Sequence, residues 1–305
     1  MPHAKAADGA RIAYQTGGDG PPLLLLTGQA NNHHWWDGVR ADFETAYRTV
    51  SLDYRGTGDS DKPDIPYSTL GFAEDAIAVL DELGIEKTAV YGTSMGGRVA
   101  QWLAARFPDR VHALVLGCTS PGGRHAVERD AEVRKSLAQA DPVAARQALL
   151  ELMYTPGYLA RTPGRFHTLG DPSMPAYAKR RHLYASNRHD AWDVLGDIAV
   201  PTLIVHGSED RFNPAANAPL LAERIPGARL AWIPGARHAY FDEFRSTAGP
   251  LVLEFLDANR RSPSSPSAQA NSDPTANAPA PVLPRPRAAA AWCAAGTPRA
   301  PRSAP

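Results

Sequence analysis

The sequence predicts an α/β fold, a mostly parallel sheet covered by helices on both faces, with a helical cap inserted between two of its strands. Three observations predict it. Short, fully apolar runs alternate with amphipathic stretches along most of the chain. One stretch of roughly 75 residues breaks that alternation and carries only helix-like patterns. A glycine-rich turn, Gly92-Thr93-Ser94-Met95-Gly96-Gly97, follows one of the apolar runs directly and opens a helix. Continuous apolar strands between helices are the pattern of a parallel sheet with no solvent-facing side.

Taken in order, Arg11–Gln15, Leu23–Leu26 and Arg48–Asp53 read as strands. Leu70–Leu83 places Phe72, Ala76, Val79, Leu80 and Leu83 on one helical face, and Gly84 follows where a left-handed cap belongs. Thr88–Tyr91 is a strand, Val99–Phe107 a helix stopped by Pro108, and Val111–Leu116 another buried strand. Between Ser120 and about Asp197 lie the helical patches Ala131–Gln139, Pro142–Met153 and Ala176–Ala185. The alternation resumes with Thr202–Val205, Leu220–Arg224, Arg229–Ile233 and Leu251–Leu256. The expected organisation is therefore a core of residues 1–119 and 198–260, a cap of 120–197, and a tail of 261–305.

The tail is set apart by composition. Ten of its 45 positions are proline and thirteen alanine. Such a segment has too few large apolar groups to offset the entropy of ordering it, and a disordered appendage is expected. Its five arginines against Asp273 give it a charge of +4, leaving −4 on the rest. Over the whole chain Lys and Arg total 32, as do Asp and Glu. That balance argues against a nucleic-acid partner or a polybasic membrane patch. No run approaches the roughly 18 apolar residues of a membrane span, and MPHAKAADGA has no apolar signal core, so a cytoplasmic location is expected. Two cysteines, Cys118 and Cys293, make no disulfide framework. No lysine follows a glycine, which removes the Walker A loop, and Arg55–Asp61 lacks the third glycine of a dinucleotide fingerprint. No cofactor is implied. No HExxH or Cys/His cluster supports a metal at the adjacent His33 and His34.

The 92–97 turn has the strand–motif–helix context of a nucleophile elbow. The turn is so tight that small residues are needed two before and two after the nucleophile, Ser94. The amide of Met95 can then point at a developing oxyanion. The plainer reading is an ordinary strand–helix turn with a capping serine. A serine hydroxyl needs a base, and the base an orienting acid, in the chain order Ser, Asp or Glu, His. Pro201–Val205 runs into His206-Gly207-Ser208-Glu209-Asp210, and Ala231–Ile233 into Pro234-Gly235-Ala236-Arg237-His238. Asp210 and His238 thus lie on loops just past strands, where sites form in open α/β sheets. Each alone reads more simply as a solvated or structural loop residue; the ordered set of three is what carries weight. Glu209 is the second choice for the acid. His206 reads as an anchor of the turn, and Asp242 and Glu243 as the start of the last helix.

Through these motifs the chain resembles the α/β-hydrolase fold family over about residues 8–258. The resemblance rests on Thr27-Gly28-Gln29 after an apolar strand, on Asp53-Tyr54-Arg55-Gly56-Thr57-Gly58-Asp59-Ser60, on the elbow, and on His206-Gly207-x-x-Asp210 with His238. It implies a nucleophile at Ser94, an orienting acid at Asp210, a general base at His238, and an oxyanion hole made by the amides of Met95 and Gln29. Most relatives carry His-Gly where this chain has Thr27-Gly28. The amide of Gln29 does not depend on that side chain. The adjacent Asn31–Trp36 segment either lines the pocket or packs its tryptophans under the cap. Arg55 reads as structural, and Cys118 as a buried small apolar residue.

The reaction expected is hydrolysis of a small carboxylic ester or lactone through an acyl-serine intermediate. C–C bond hydrolysis and cofactor-free perhydrolysis use the same triad and stay open, as does a hydrolase-like small-molecule receptor with little turnover. Ser94 in the nucleophile position disfavours dehalogenase chemistry, which needs Asp. Arg129, His167, Tyr184 and Arg188 are the polar cap residues that could meet the substrate.

Overall fold

A computed structural model describes residues 1–260 except Pro163 and Arg165. The expected disordered tail lies outside the described residues. Eight strands form one sheet: β1 (His3–Lys5), β2 (Arg11–Gly17), β3 (Pro22–Leu26), β4 (Arg48–Leu52), β5 (Thr88–Thr93), β6 (Val111–Gly117), β7 (Thr202–Gly207) and β8 (Arg229–Ile233). Their order is β1-β2-β4-β3-β5-β6-β7-β8. β1 pairs antiparallel to β2, and β2 to β4; every other pairing is parallel.

Alternation along the parallel strands builds two cores. Leu24 and Leu26 of β3, Val90 of β5, Leu114 and Leu116 of β6 and Ile204 of β7 face one of them. Leu23, Leu25, Tyr91, Val115 and Val205, their odd neighbours, face the other. The first core is closed by α2 (Thr69–Glu82), α3 (Met95–Arg106) and α8 (Asn217–Arg224). The second is closed by α1 (Arg40–Glu44) and α10 (Arg245–Ala258), with the short α9 (Tyr240–Glu243) beside them. Burial on both faces explains why these strands read as unbroken apolar runs. Ser68 caps α2 by accepting from the Gly71 amide at 2.9 Å, and Gly84 ends it at φ +63°, the left-handed position read from the sequence.

Between β6 and β7 lie α4 (Ala131–Leu137), α5 (Pro142–Met153), α6 (Pro156–Arg161) and α7 (Ala176–Asn187), and among the described residues no strand. Three of the four start alike. Asp130, Asp141 and Thr155 each accept a backbone amide at the N-cap, and Pro142 and Pro156 occupy the first turn, where a missing N–H costs nothing. No helix among the described residues is long and apolar enough to cross a membrane.

Candidate active site

Strand register delivers the loops that matter to one end of the sheet. Leu26, Gly92, Leu116, Ile204 and Leu230 form a row across five neighbouring parallel strands. Gln29, Ser94, Asp210 and His238 all follow the carboxyl ends of strands in that row.

At the turn after β5 the backbone leaves no room for side chains. A Cβ on Gly92 would lie 2.3 Å from the Gly96 carbonyl oxygen, and one on Gly96 would lie 2.2 Å from that of Leu26. Ser94 itself has φ 56° and ψ −122°, a conformation costing about 1–3 kcal/mol for a non-glycine residue. Its amide donates to Gly117 O at 2.9 Å, and its carbonyl accepts from the Thr119 hydroxyl at 2.7 Å. The strained residue is therefore pinned from both sides by β6 and the segment after it. Met95 begins α3, so its amide is among those with no partner inside the helix.

The acid and the histidine meet directly. His238 Nδ1 lies 2.7 Å from Asp210 Oδ2, and both side chains are buried. A carboxylate can only accept, so Nδ1 carries the hydrogen and Nε2 is left with its lone pair. That Nε2 is buried and has no hydrogen-bond partner among the described residues. Asp210 is held at its other oxygen by the Asn213 amide, 2.8 Å away. His206 contributes too: its Nε2 lies 2.9 Å from Asn213 O and 3.2 Å from Asp210 Oδ2. Burial alone would raise the Asp210 carboxyl. Its electrostatic interaction with His238 and the hydrogen bonds from His206 and His238 outweigh it and hold the group down at about 2, ionised throughout the neutral range. Glu209, by contrast, is exposed.

Ser94, His238 and Gln29 line one cavity of about 250 Å³. Its walls are mostly apolar, with Trp35, Leu149, Met153 and Phe212 among them. Asp210 stands behind the histidine, and Met95 is buried with its side chain in the core. A larger groove of about 870 Å³ runs along α2, and none of these residues borders it.

The backbone around Gln29 is shaped by close approach. A Cβ on Gly28 would fall 2.5 Å from the Trp35 ring, and Ala30 takes a positive φ of 57°. The Ala30 amide donates to His182 Nδ1 of α7 at 3.3 Å, and His182 Nε2 lies 2.9 Å from Arg55 O. His182 is thus a buried brace between the cap and the Gln29 turn. Its spacing within a polar helix gave no sign of this.

The remaining sequence candidates divide. Trp35 both borders the cavity and donates from Nε1 to Thr93 Oγ1 at 2.9 Å, whereas Trp36 is buried against Tyr91 and Phe241. Arg55 pairs with Asp75 and Asp8, the structural role expected, and Cys118 is fully buried. Asp242 and Glu243, on α9, take the Tyr154 hydroxyl and the Thr155 amide of the cap. Of the four polar cap residues, Arg129 borders the cavity; His167 and Tyr184 are exposed, and Arg188 stacks on Tyr184. His34, Asp37 and His167 bring ligand atoms within 4.8 Å of one another on the exposed surface. A zinc ion bound at about 2.1 Å needs them about 3.4 Å apart, so this cluster would have to tighten to hold one.

A family profile for the alpha/beta hydrolase fold matches residues 21–244. The chain belongs to the α/β-hydrolase family. The 3-oxoadipate enol-lactonase 2 of Acinetobacter baylyi is 30% identical over 232 residues, covering 73% of this chain and 85% of that one. The pimeloyl-[acyl-carrier protein] methyl ester esterase of Aeromonas hydrophila is 30% identical over 240 residues, covering 75% and 93%. Among solved structures, the enol-lactonase of Burkholderia xenovorans superposes with a TM-score of 0.71 at 26% identity, over 84% of this chain and all of the other. This α/β hydrolase therefore has relatives named both as esterases and as lactonases.

Proposed function

We propose that this α/β hydrolase cleaves a small carboxylic ester or lactone through an acyl-serine intermediate. The observation that carries the reading is His238. It is oriented by Asp210 at 2.7 Å through one nitrogen, its other nitrogen is buried and unpartnered, and it shares a cavity with a strained serine. In acylation Ser94 Oγ attacks the carbonyl carbon while its proton passes to His238 Nε2. The negative charge forming on the carbonyl oxygen is taken by the amides of Met95 and Gln29. Collapse expels the alcohol, which leaves with the proton from His238. Water, deprotonated by the same nitrogen, then releases the acid. No hydrogen bond joins Ser94 to His238 here, and such contacts commonly tighten only with substrate bound. Esterase and lactonase relatives support both substrate classes.

The test is turnover of p-nitrophenyl acetate with Ser94→Ala as control, together with a phosphonate inhibitor located by peptide mass mapping. The expected result is a burst, a covalent adduct on Ser94, and loss of both in the variant. Binding without turnover, and no adduct, would make the protein a hydrolase-like receptor instead.

A further inference from the structure

Among the described residues the cavity is bordered by a single permanently charged side chain, that of Arg129. Its setting differs from that of most other arginines with a defined partner. Arg55, Arg211 and Arg245 each reach a carboxylate within 3.1 Å. Among the described residues Arg129 has no ion-pair partner. Its Nε donates to Phe212 O at 2.6 Å, and its guanidinium lies over the Phe212 ring, 4.1 Å from the centroid. Phe212 in turn packs on His238, ring centroids 4.6 Å apart. The guanidinium is thus fixed in plane and position one aromatic ring away from the candidate base. Its terminal nitrogens have no hydrogen-bond partner among the described residues. Two carboxylates act on it without pairing: that of Asp210, whose oxygens are already taken by Asn213, His238 and His206, and that of the exposed Glu128.

A partly desolvated guanidinium against apolar walls is costly unless something pairs with it. Its planar fork matches a carboxylate better than any neutral group. We propose that Arg129 is an anion subsite, and that the substrate is an ester or lactone carrying a carboxylate at the end remote from the bond cleaved. This rests on the ester or lactone reading above and narrows it to half-esters of dicarboxylic acids and carboxylated lactones. The cavity is small for a ligand site, which suits a short acyl chain with both ends engaged.

The experiment compares monoethyl esters of dicarboxylic acids, from succinate to pimelate, with the ethyl esters of the corresponding monocarboxylic acids. For the best-fitting length, kcat/KM in the wild type should favour the anionic ester by at least about tenfold, mainly through KM, and the preference should shrink with added salt. Arg129→Gln should erase that ratio, and Arg129→Lys should restore part of it. Equal turnover of both series by the wild type would overturn the proposal without any variant, so a misfolded Arg129→Gln leaves it testable. Calorimetric binding of the half-ester to Ser94→Ala separates the two readings. Arg129-dependent binding alongside a wild type that turns over neither series would sink the hydrolase assignment and keep the subsite. Turnover with no charge preference would do the reverse.

Discussion

The turn after β5 and the insertion between β6 and β7 border the same cavity, yet they are held by different means. At the turn, glycine backbones meet carbonyl oxygens at distances no Cβ could share, and the Ser94 conformation is locked by hydrogen bonds to Gly117 and Thr119. The insertion exposes Val143, Leu183 and Tyr184 to solvent and is tied to the rest by scattered polar contacts. Asp171 accepts the Gly58 amide at 2.6 Å, Tyr154 reaches Asp242, and His182 braces Ala30 and Arg55. The candidate nucleophile is fixed by short-range backbone constraint, the cavity's shape by long-range pairings. The first leaves a motif in the sequence, and the second leaves almost none.

The largest effects should come from the constrained side. Ser94→Ala and His238→Ala should each lower ester turnover by several orders of magnitude while moving the thermal midpoint by only a few degrees. Near-wild-type turnover by either purified variant would show that the chemistry lies elsewhere. Asp210→Asn comes next. An amide can donate to His238 Nδ1 and so impose the wrong tautomer, with a loss of roughly 10⁴-fold expected from the serine-protease precedent. Glu209→Gln should stay within about tenfold, since that side chain is in solvent. A reversal of those two results would move the orienting carboxylate by one residue.

How much of this was legible follows the same division. The parallel strands and the order of Ser94, Asp210 and His238 could be read because burial on two faces and tight turns restrict residue type locally. β1 could not: His-Ala-Lys has no apolar pattern and becomes a strand only by pairing with β2. The helix after the elbow starts at Met95 rather than Val99, because Gly96 and Gly97 are poor helix formers kept there by the contacts their Cβ atoms would make with Leu26 and Thr119. His182 lies far along the chain from the Ala30 it braces, and Asn213, three residues past Asp210, holds that carboxylate with a backbone amide, which any residue but proline could supply. Arg129 could be named as polar, but its freedom from a carboxylate is a fact of three dimensions.

Gly96→Ala asks whether the turn is as rigid as its distances suggest. The added methyl would meet Leu26 O at 2.2 Å, and backbone cannot yield as a flexible side chain does. A loss of about 2–4 kcal/mol in urea unfolding is expected, with activity falling further than stability as Ser94 shifts. Alanine tolerated with both properties intact would mean that the elbow flexes, and the contrast with the insertion would weaken.

A pH-dependent effect tests the insertion. Burial lowers the His182 pKa to about 4; the hydrogen bond to Arg55 O opposes that shift but does not overcome it. The folded protein therefore resists protonating a group that titrates near 6.5 when unfolded. Its stabilising contribution is complete above pH 6.5 and is lost as the pH falls towards 4, because over that range the unfolded chain binds the additional proton. Between pH 7.5 and 4.5 the wild type should lose about 2–3 kcal/mol more than His182→Ala in urea unfolding. His189 is also buried and shifted downwards, but it is present in both proteins and cancels in the comparison. Protonation would also put a hydrogen on Nδ1 facing the Ala30 amide, one residue from Gln29, so wild-type turnover should fall on the same acid limb while the fold is still intact. Equal pH slopes in the two proteins would mean that His182 does not brace the turn, and that the insertion shapes the cavity through its apolar walls alone.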